Sequence, residues 1–190
     1  MPQGVRRFAL AVHLTVAVGW IGAVAAYMAL DIAAATSASP QTLRTAYLGM
    51  GMVARYVIVP LAFASLLTGI VMALGTKWGL FRHYWVLISL LLTAIATGVL
   101  LVETRTIYRF EVIASDPGTS ADALRILGNT LPHSVGGTVV LLFVLVLNLY
   151  KPRGMTRYGQ RYERAASGRV RFSEVGHGGV DQPVLEAEEP

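Results

Sequence analysis

The sequence predicts an all-α membrane protein, a four-transmembrane-helix bundle, and three observations carry that expectation. Hydrophobic residues make up 54% of the chain and charged residues only 14%, against roughly a quarter charged in soluble proteins. Four stretches, residues 8–30, 53–74, 85–102 and 133–150, are long and apolar enough to cross a hydrocarbon core, which takes about 20 helical residues. None alternates polar and apolar residues at barrel spacing, so helices remain the structure that satisfies every backbone group in lipid. The chain has no cysteine, which excludes disulfides, thiolate metal sites, iron–sulfur clusters and a cysteine nucleophile.

The first run follows Arg6 and Arg7 and precedes small residues around Ala33–Ala35. It is longer than the 7–15 residues or so of a signal-peptide core and is therefore a retained helix. In the second run Pro60 removes one helical hydrogen bond and frees the Tyr56 carbonyl, which predicts a bend. A short turn edged by Trp78 and Trp85 leads into the third run, aromatic residues of the kind that sit at membrane interfaces. Residues 104–114 can continue that helix until Asp116-Pro117-Gly118 breaks it. Thr119-x-x-Asp122 then reads as a capping box opening a short outer surface helix that ends near Gly128. From Gly154 onward apolar periodicity is absent, and a disordered cytoplasmic tail is expected over residues 154–190. It is basic first (Arg157, Arg161, Arg164, Arg169, Arg171) and acidic at its end (Glu186, Glu188, Glu189).

Orientation follows from the basic residues. With the N-terminus inside, Arg6, Arg7, Lys77, Arg82 and seven residues from Lys151 to Arg171 are cytoplasmic, against Arg44, Arg55, Arg105, Arg109 and Arg125 outside. Both termini are expected in the cytoplasm, with the basic half of the tail on anionic lipid headgroups. The basic excess borders apolar runs, so no nucleic-acid partner is expected. Small residues offer close helix approach at Gly19-x-x-x-Ala23, Gly22-x-x-x-Ala26, Ser65-x-x-x-Gly69-x-x-x-Ala73, Ala94-x-x-x-Gly98 and Gly136-Gly137. Such faces also permit a homodimer.

Polar groups at membrane depth are costly, so each is a candidate for function. His13, Trp20 and Tyr27 recur every seven residues along one face of the first helix, and Asp31 follows one turn later. A histidine pair on facing helices can hold b-type haem. His13 and His83 both fall in the inner half and form the candidate axial pair, with Trp20 and Tyr27 beside them, although helical rise leaves them about 7 Å apart in height. His133 lies about 20 Å from His13 along the membrane normal and cannot share that iron. Asp31, Arg55 and His133 make an outer polar cluster. An Asp31–Arg55 ion pair is its simplest account. A pocket for a quinone headgroup, a haem propionate or a metal ion is the alternative, though one histidine and one aspartate are too few for a firm metal site. No paired carboxylates, nucleophile elbow or phosphate-cradling loop points to a hydrolase or kinase.

The segment His13-Leu-Thr-Val-Ala-Val-Gly-Trp20-Ile-Gly22 resembles the first helix of bacterial membrane proteins related to copper-resistance protein D and to membrane protoporphyrinogen oxidase. Pro60-Leu-Ala-Phe-Ala-Ser-Leu-Leu-Thr68-Gly69, Trp78-Gly-Leu and Trp85-Val-Leu-Ile-Ser89 are similar to their second and third helices. Tyr150-Lys-Pro-Arg-Gly-Met-Thr-Arg-Tyr158-Gly is similar to the end of many four-helix actinobacterial membrane proteins. The resemblance covers about residues 8 to 160. It implies the fold, a bacterial plasma membrane and His13 as a haem ligand. The oxidase pattern has a lysine where this chain has Ser89, and the metal-binding segments of a copper importer are missing, so no reaction is implied. Two functional readings stand: a haem-b-binding or redox-associated bundle with a quinone or redox partner, or a cofactor-free membrane subunit or scaffold whose histidines are structural.

Overall fold

The computed structural model describes residues 2–75, 79–152, 154–162 and 164. It is 85% helical and contains no strands among the described residues. Six α-helices follow one another: α1 (Gln3–Thr36), α2 (Pro40–Val53), α3 (Val59–Gly75), α4 (Tyr84–Ser115), α5 (Ala121–Ile126) and α6 (Leu131–Tyr150). A π turn, Ala54–Ile58, joins α2 to α3, so the chain makes four long helical passes, each long and apolar enough to cross a membrane.

Three of the four passes are longer than their apolar runs. At about 1.5 Å per residue, α1 and α4 each reach about 50 Å, against about 30 Å of hydrocarbon. Only α6, with 20 residues, matches that thickness. Hydropathy reports the stretch that lipid must solvate, and the parts of α1, α2 and α4 beyond it at one end bury Ala34, Leu43, Ala46, Tyr47, Ile107 and Ala114 in a cap. The end α1 starts from is called here the terminal end; the end that holds α2 and α5 is the cap end.

Most of the buried core belongs to the cap and to the half of the bundle beneath it. Leu43, Ala46, Tyr47 and Met50 of α2, Ala54 and Ile58 of the π turn, Ile107 and Ala114 of α4, and Leu124 of α5 join Trp20, Tyr27 and Ala34 of α1. Tyr47 meets Phe110 edge to face at 5.4 Å and donates its hydroxyl to the Gly128 carbonyl at 2.8 Å. Gly49 lets α2 approach α1, since a Cβ there would lie 3.1 Å from Leu30.

The bend expected at Pro60 takes the form of the π turn. The Val59 N–H reaches the Ala54 carbonyl five residues back, and the widened turn accommodates a residue that has no N–H to give. The surface helix α5 starts one residue later than the capping-box reading. Ser120 is the cap, accepting from the Ala123 N–H at 3.2 Å, because the Thr119 hydroxyl is drawn to the Ile113 carbonyl at 2.7 Å. The break at Asp116-Pro117-Gly118 is present, with the Gly118 N–H on Asp116 Oδ1.

α1 packs against α2, α3 and α6, while α4 packs against α2, α3 and α6. α1 and α4 therefore lie diagonally across the bundle. Only part of the small-residue pattern is used internally: Gly19 meets Leu61 and Gly69 meets His13, whereas Gly22, Gly98, Gly136 and Gly137 face open space. In place of such motifs, Asn148 of α6 donates to Ser89 Oγ of α4 at 3.1 Å.

Arg44 closes the C-terminal end of α4. Its guanidinium donates to the carbonyls of Ala114 (2.7 Å), Asp116 (2.6 Å) and Thr119 (3.2 Å), where the helix dipole also favours a cation. Hydrogen bonds from a charged donor contribute about 1.5–3 kcal/mol, so Arg44→Ala should lower unfolding stability in mild detergent by about 2 kcal/mol. Arg44→Lys should recover less than half of that, lacking the planar fork. Chemical unfolding of the three proteins checks both.

Candidate functional site

The cap end holds three separate polar groupings in place of the single cluster expected from sequence. The first is centred on Asp31, which is 0% exposed. Its Oδ1 accepts the Thr130 N–H at 3.0 Å, and its Oδ2 accepts the hydroxyls of Thr130 at 2.9 Å and Ser134 at 3.0 Å. Thr130 gives its only hydroxyl proton to the carboxylate, so in its 2.7 Å contact with Tyr27 it is the tyrosine that donates. These groups surround the N-terminus of α6, whose positive dipole end stabilises the buried charge. The Asp31–Arg55 pair is therefore not formed. Asp31 has three donors and a helix terminus at hand, and Arg55 is turned toward α4.

The second grouping lines a cleft. Arg55, on the π turn, donates from Nη2 to Glu111 Oε2 at 2.8 Å, and its guanidinium sits 5.4 Å from the Tyr108 ring centroid. The Arg55 side chain is 46% exposed and that of Glu111 21%. The cleft between the π turn and α4 encloses about 290 Å³; Val59 and Leu101 line it toward the apolar spans and Arg55 and Glu111 toward the cap, with Thr104, Ile107 and Tyr108 along one wall. Gly51 makes the geometry available, because a Cβ there would fall 2.6 Å from the Glu111 carboxyl.

The third grouping is His133 Nε2 against Glu103 Oε1 at 3.2 Å, an ion pair when the imidazole is protonated. Among the described residues no group of three or more His, Asp or Glu side chains could hold a metal ion.

The two histidines of the candidate haem pair are held by different partners. His13 turns toward α3, its Nδ1 at 2.9 Å from Thr68 Oγ1. The Thr68 hydroxyl donates to the Ala64 carbonyl at 2.7 Å, so the imidazole donates from Nδ1 and Nε2 keeps a lone pair. His83 precedes α4, with its backbone bridged to Met155 and its ring 6.5 Å from that of Trp85. His13 thus belongs to the α1–α3 interface, and His83 is the residue that opens α4. Trp20 and Tyr27 are buried on the His13 face, and the Trp20 indole N–H has no acceptor among the described residues.

Residues 154–162, the first part of the expected tail, make contacts with the loop before α4, and residues 165–190 lie outside the described residues. The Thr156 N–H donates to the Arg82 carbonyl at 2.9 Å and the Tyr84 N–H to the Gly154 carbonyl at 3.3 Å. The Arg82 guanidinium lies 3.7 Å over the Tyr162 ring. Gly159 presses its backbone on Arg82, where a Cβ would meet the carbonyl oxygen at 2.5 Å. These contacts come from residues that the sequence presents only as polar, so helical periodicity gives no signal for them. Trp78, Lys77, His177, Arg169, Arg171 and the terminal glutamates lie outside the described residues.

Sequence reasoning missed Glu103, Glu111, Thr130, Ser134 and Thr68. The two glutamates were legible in one respect. Continuing the third helix through residue 114 places both on α4, facing the bundle. Comparisons with protein-family models, curated proteins and solved structures find no match.

Removing the Asp31 carboxylate takes the acceptor from the Thr130 N–H and hydroxyl, each loss costing about 1–3 kcal/mol, while the Ser134 hydroxyl keeps the Leu131 carbonyl at 3.1 Å. Asp31→Leu should therefore destabilise the protein by at least about 2 kcal/mol. Tyr27→Phe, which leaves Thr130 bonded to the carboxylate, should cost about 1 kcal/mol. Detergent unfolding curves measure both, and equal losses would show that the carboxylate is not the centre of the network.

Proposed function

We propose that this is a multi-pass membrane protein that binds an amphiphilic small molecule at its cap end, holding the polar head at Arg55 and Glu111 with the apolar part toward Val59 and Leu101. The observation that carries this reading is the cleft itself, a partly exposed ion pair directly above an apolar wall. The π turn supports it, since such turns recur at functional sites, and so does the close fit of Glu111 on Gly51. The protein then serves as a binding or accessory subunit in the bilayer. The excess of basic residues in the segments assigned to the terminal end supports an orientation with both termini in the cytoplasm and the cleft on the opposite side of a bacterial plasma membrane.

A second reading rests on His13. Its Nδ1 donates to Thr68, and that arrangement fixes the tautomer whose Nε2 can ligate a metal. Haem b, once bound, would supply one-electron redox chemistry, and His13 would provide one axial ligand. His83, which immediately precedes α4, is the candidate for a second axial ligand.

For the cleft, wild type and the Arg55→Gln/Glu111→Gln double variant are reconstituted in nanodiscs of phosphatidylethanolamine, phosphatidylglycerol and menaquinone. Native mass spectrometry then counts the amphiphile each retains. The double variant should retain about tenfold less; equal retention overturns the reading. For His13, a reduced-minus-oxidised visible spectrum of protein from haem-replete cells should show a Soret band that His13→Ala removes. No band, or an unchanged one, overturns that assignment.

A further inference from the structure

We infer that the head recognised in the cleft is zwitterionic, an anionic phosphate on Arg55 joined to a primary ammonium on Glu111, as in the phosphoethanolamine head of a bilayer phospholipid. The inference rests on the cleft reading above and narrows its ligand.

The charges decide between ligand classes. Arg55 and Glu111 are already paired at 2.8 Å, so a simple anion entering on Arg55 would leave the Glu111 carboxylate without its cation. A partly desolvated charge that loses its partner is costly, and Glu111 is the less exposed of the two. A neutral head, such as a quinone or an alcohol, would replace neither charge. A ligand that carries both signs close together exchanges one ion pair for two, and no charge is stranded.

The donor chemistry narrows it further. A carboxylate accepts hydrogen bonds and has none to give, so Glu111 is served by an ammonium with N–H groups. A quaternary ammonium would need an aromatic face instead, and the Tyr108 ring is already occupied by the Arg55 guanidinium at 5.4 Å. Space is consistent with one head. The cleft offers about 290 Å³, while Val59 and Leu101 continue the surface toward the apolar spans, where the acyl chains belong.

The experiment uses the full-length protein in nanodiscs containing equal amounts of phosphatidylethanolamine, its N,N-dimethyl derivative, phosphatidylcholine and phosphatidylglycerol, with retained lipid read by native mass spectrometry. Wild type should retain phosphatidylethanolamine about tenfold over phosphatidylcholine and phosphatidylglycerol, with the dimethyl lipid between. Glu111→Gln should shift retention toward phosphatidylglycerol, because Arg55 is then free for an anion. The charge-swapped Arg55→Glu/Glu111→Arg protein, which keeps the ion pair, should again favour phosphatidylethanolamine. Retention in wild type without head preference, but lost in Arg55→Gln/Glu111→Gln, overturns the zwitterion and leaves the cleft standing. Retention that no variant changes overturns both. Wild-type selectivity alone decides the head chemistry if a variant fails to fold.

Discussion

A single buried carboxylate organises the cap end. Asp31 sits at 0% exposure, where an unpaired charge would be prohibitive, and it is tolerated because three donors and the N-terminus of α6 converge on it. That convergence ties the end of α1 to the start of α6 and sets the height at which α6 begins. The helix then runs 20 residues, about the thickness of the apolar layer. Thr130 makes no side-chain cap to α6, its hydroxyl oxygen accepting from Tyr27 and its proton going to Asp31.

The commitment of Asp31 to α6 leaves Arg55 free for another partner. The π turn ahead of Pro60 carries Arg55 on the side toward α4, where Glu111 lies across Gly51. The remaining charges of the cap are settled locally: Arg44 on the C-terminal carbonyls of α4, Arg125 on the Ala38 carbonyl, and His133 on Glu103. Of the three cap pairs of a carboxylate with a basic side chain, Arg55–Glu111, Arg125–Asp122 and His133–Glu103, the first is the one that lines the cleft with an apolar wall. That pairing of a polar head site with an apolar surface gives the cap a place for an amphiphile.

The terminal end is built on different contacts. There the loop before α4 is held by backbone hydrogen bonds to residues 154–156 and by the Arg82–Tyr162 stack. His83 belongs to this arrangement, through its bridge to Met155. His13 belongs to the α1–α3 interface, through Thr68. Helical spacing placed His13 and His83 on the same half of the bundle, but which partner each imidazole faces depends on the rotation of its helix and on the fold of the segment that follows α6.

The all-α class, the four apolar passes, the break at Asp116–Gly118 and the irregularity at Pro60 were legible in the sequence, because each rests on local chemistry: the solvent a helix requires, or the hydrogen bond a proline cannot make. The burial of Trp20, Tyr27 and Asp31 on one face of α1 was legible for the same reason, in their helical spacing. The lengths of α1 and α2 were not, since hydropathy is silent once a helix leaves lipid and buries itself against protein. Nor were the partners. By itself the sequence determined which residues are expensive to bury. Only the tertiary structure decided what satisfies each of them, sending Asp31 to Thr130 and Ser134 and Arg55 to Glu111, because an ion or hydrogen bond needs a partner within about 3 Å and that proximity comes from the packing of helices distant in the chain.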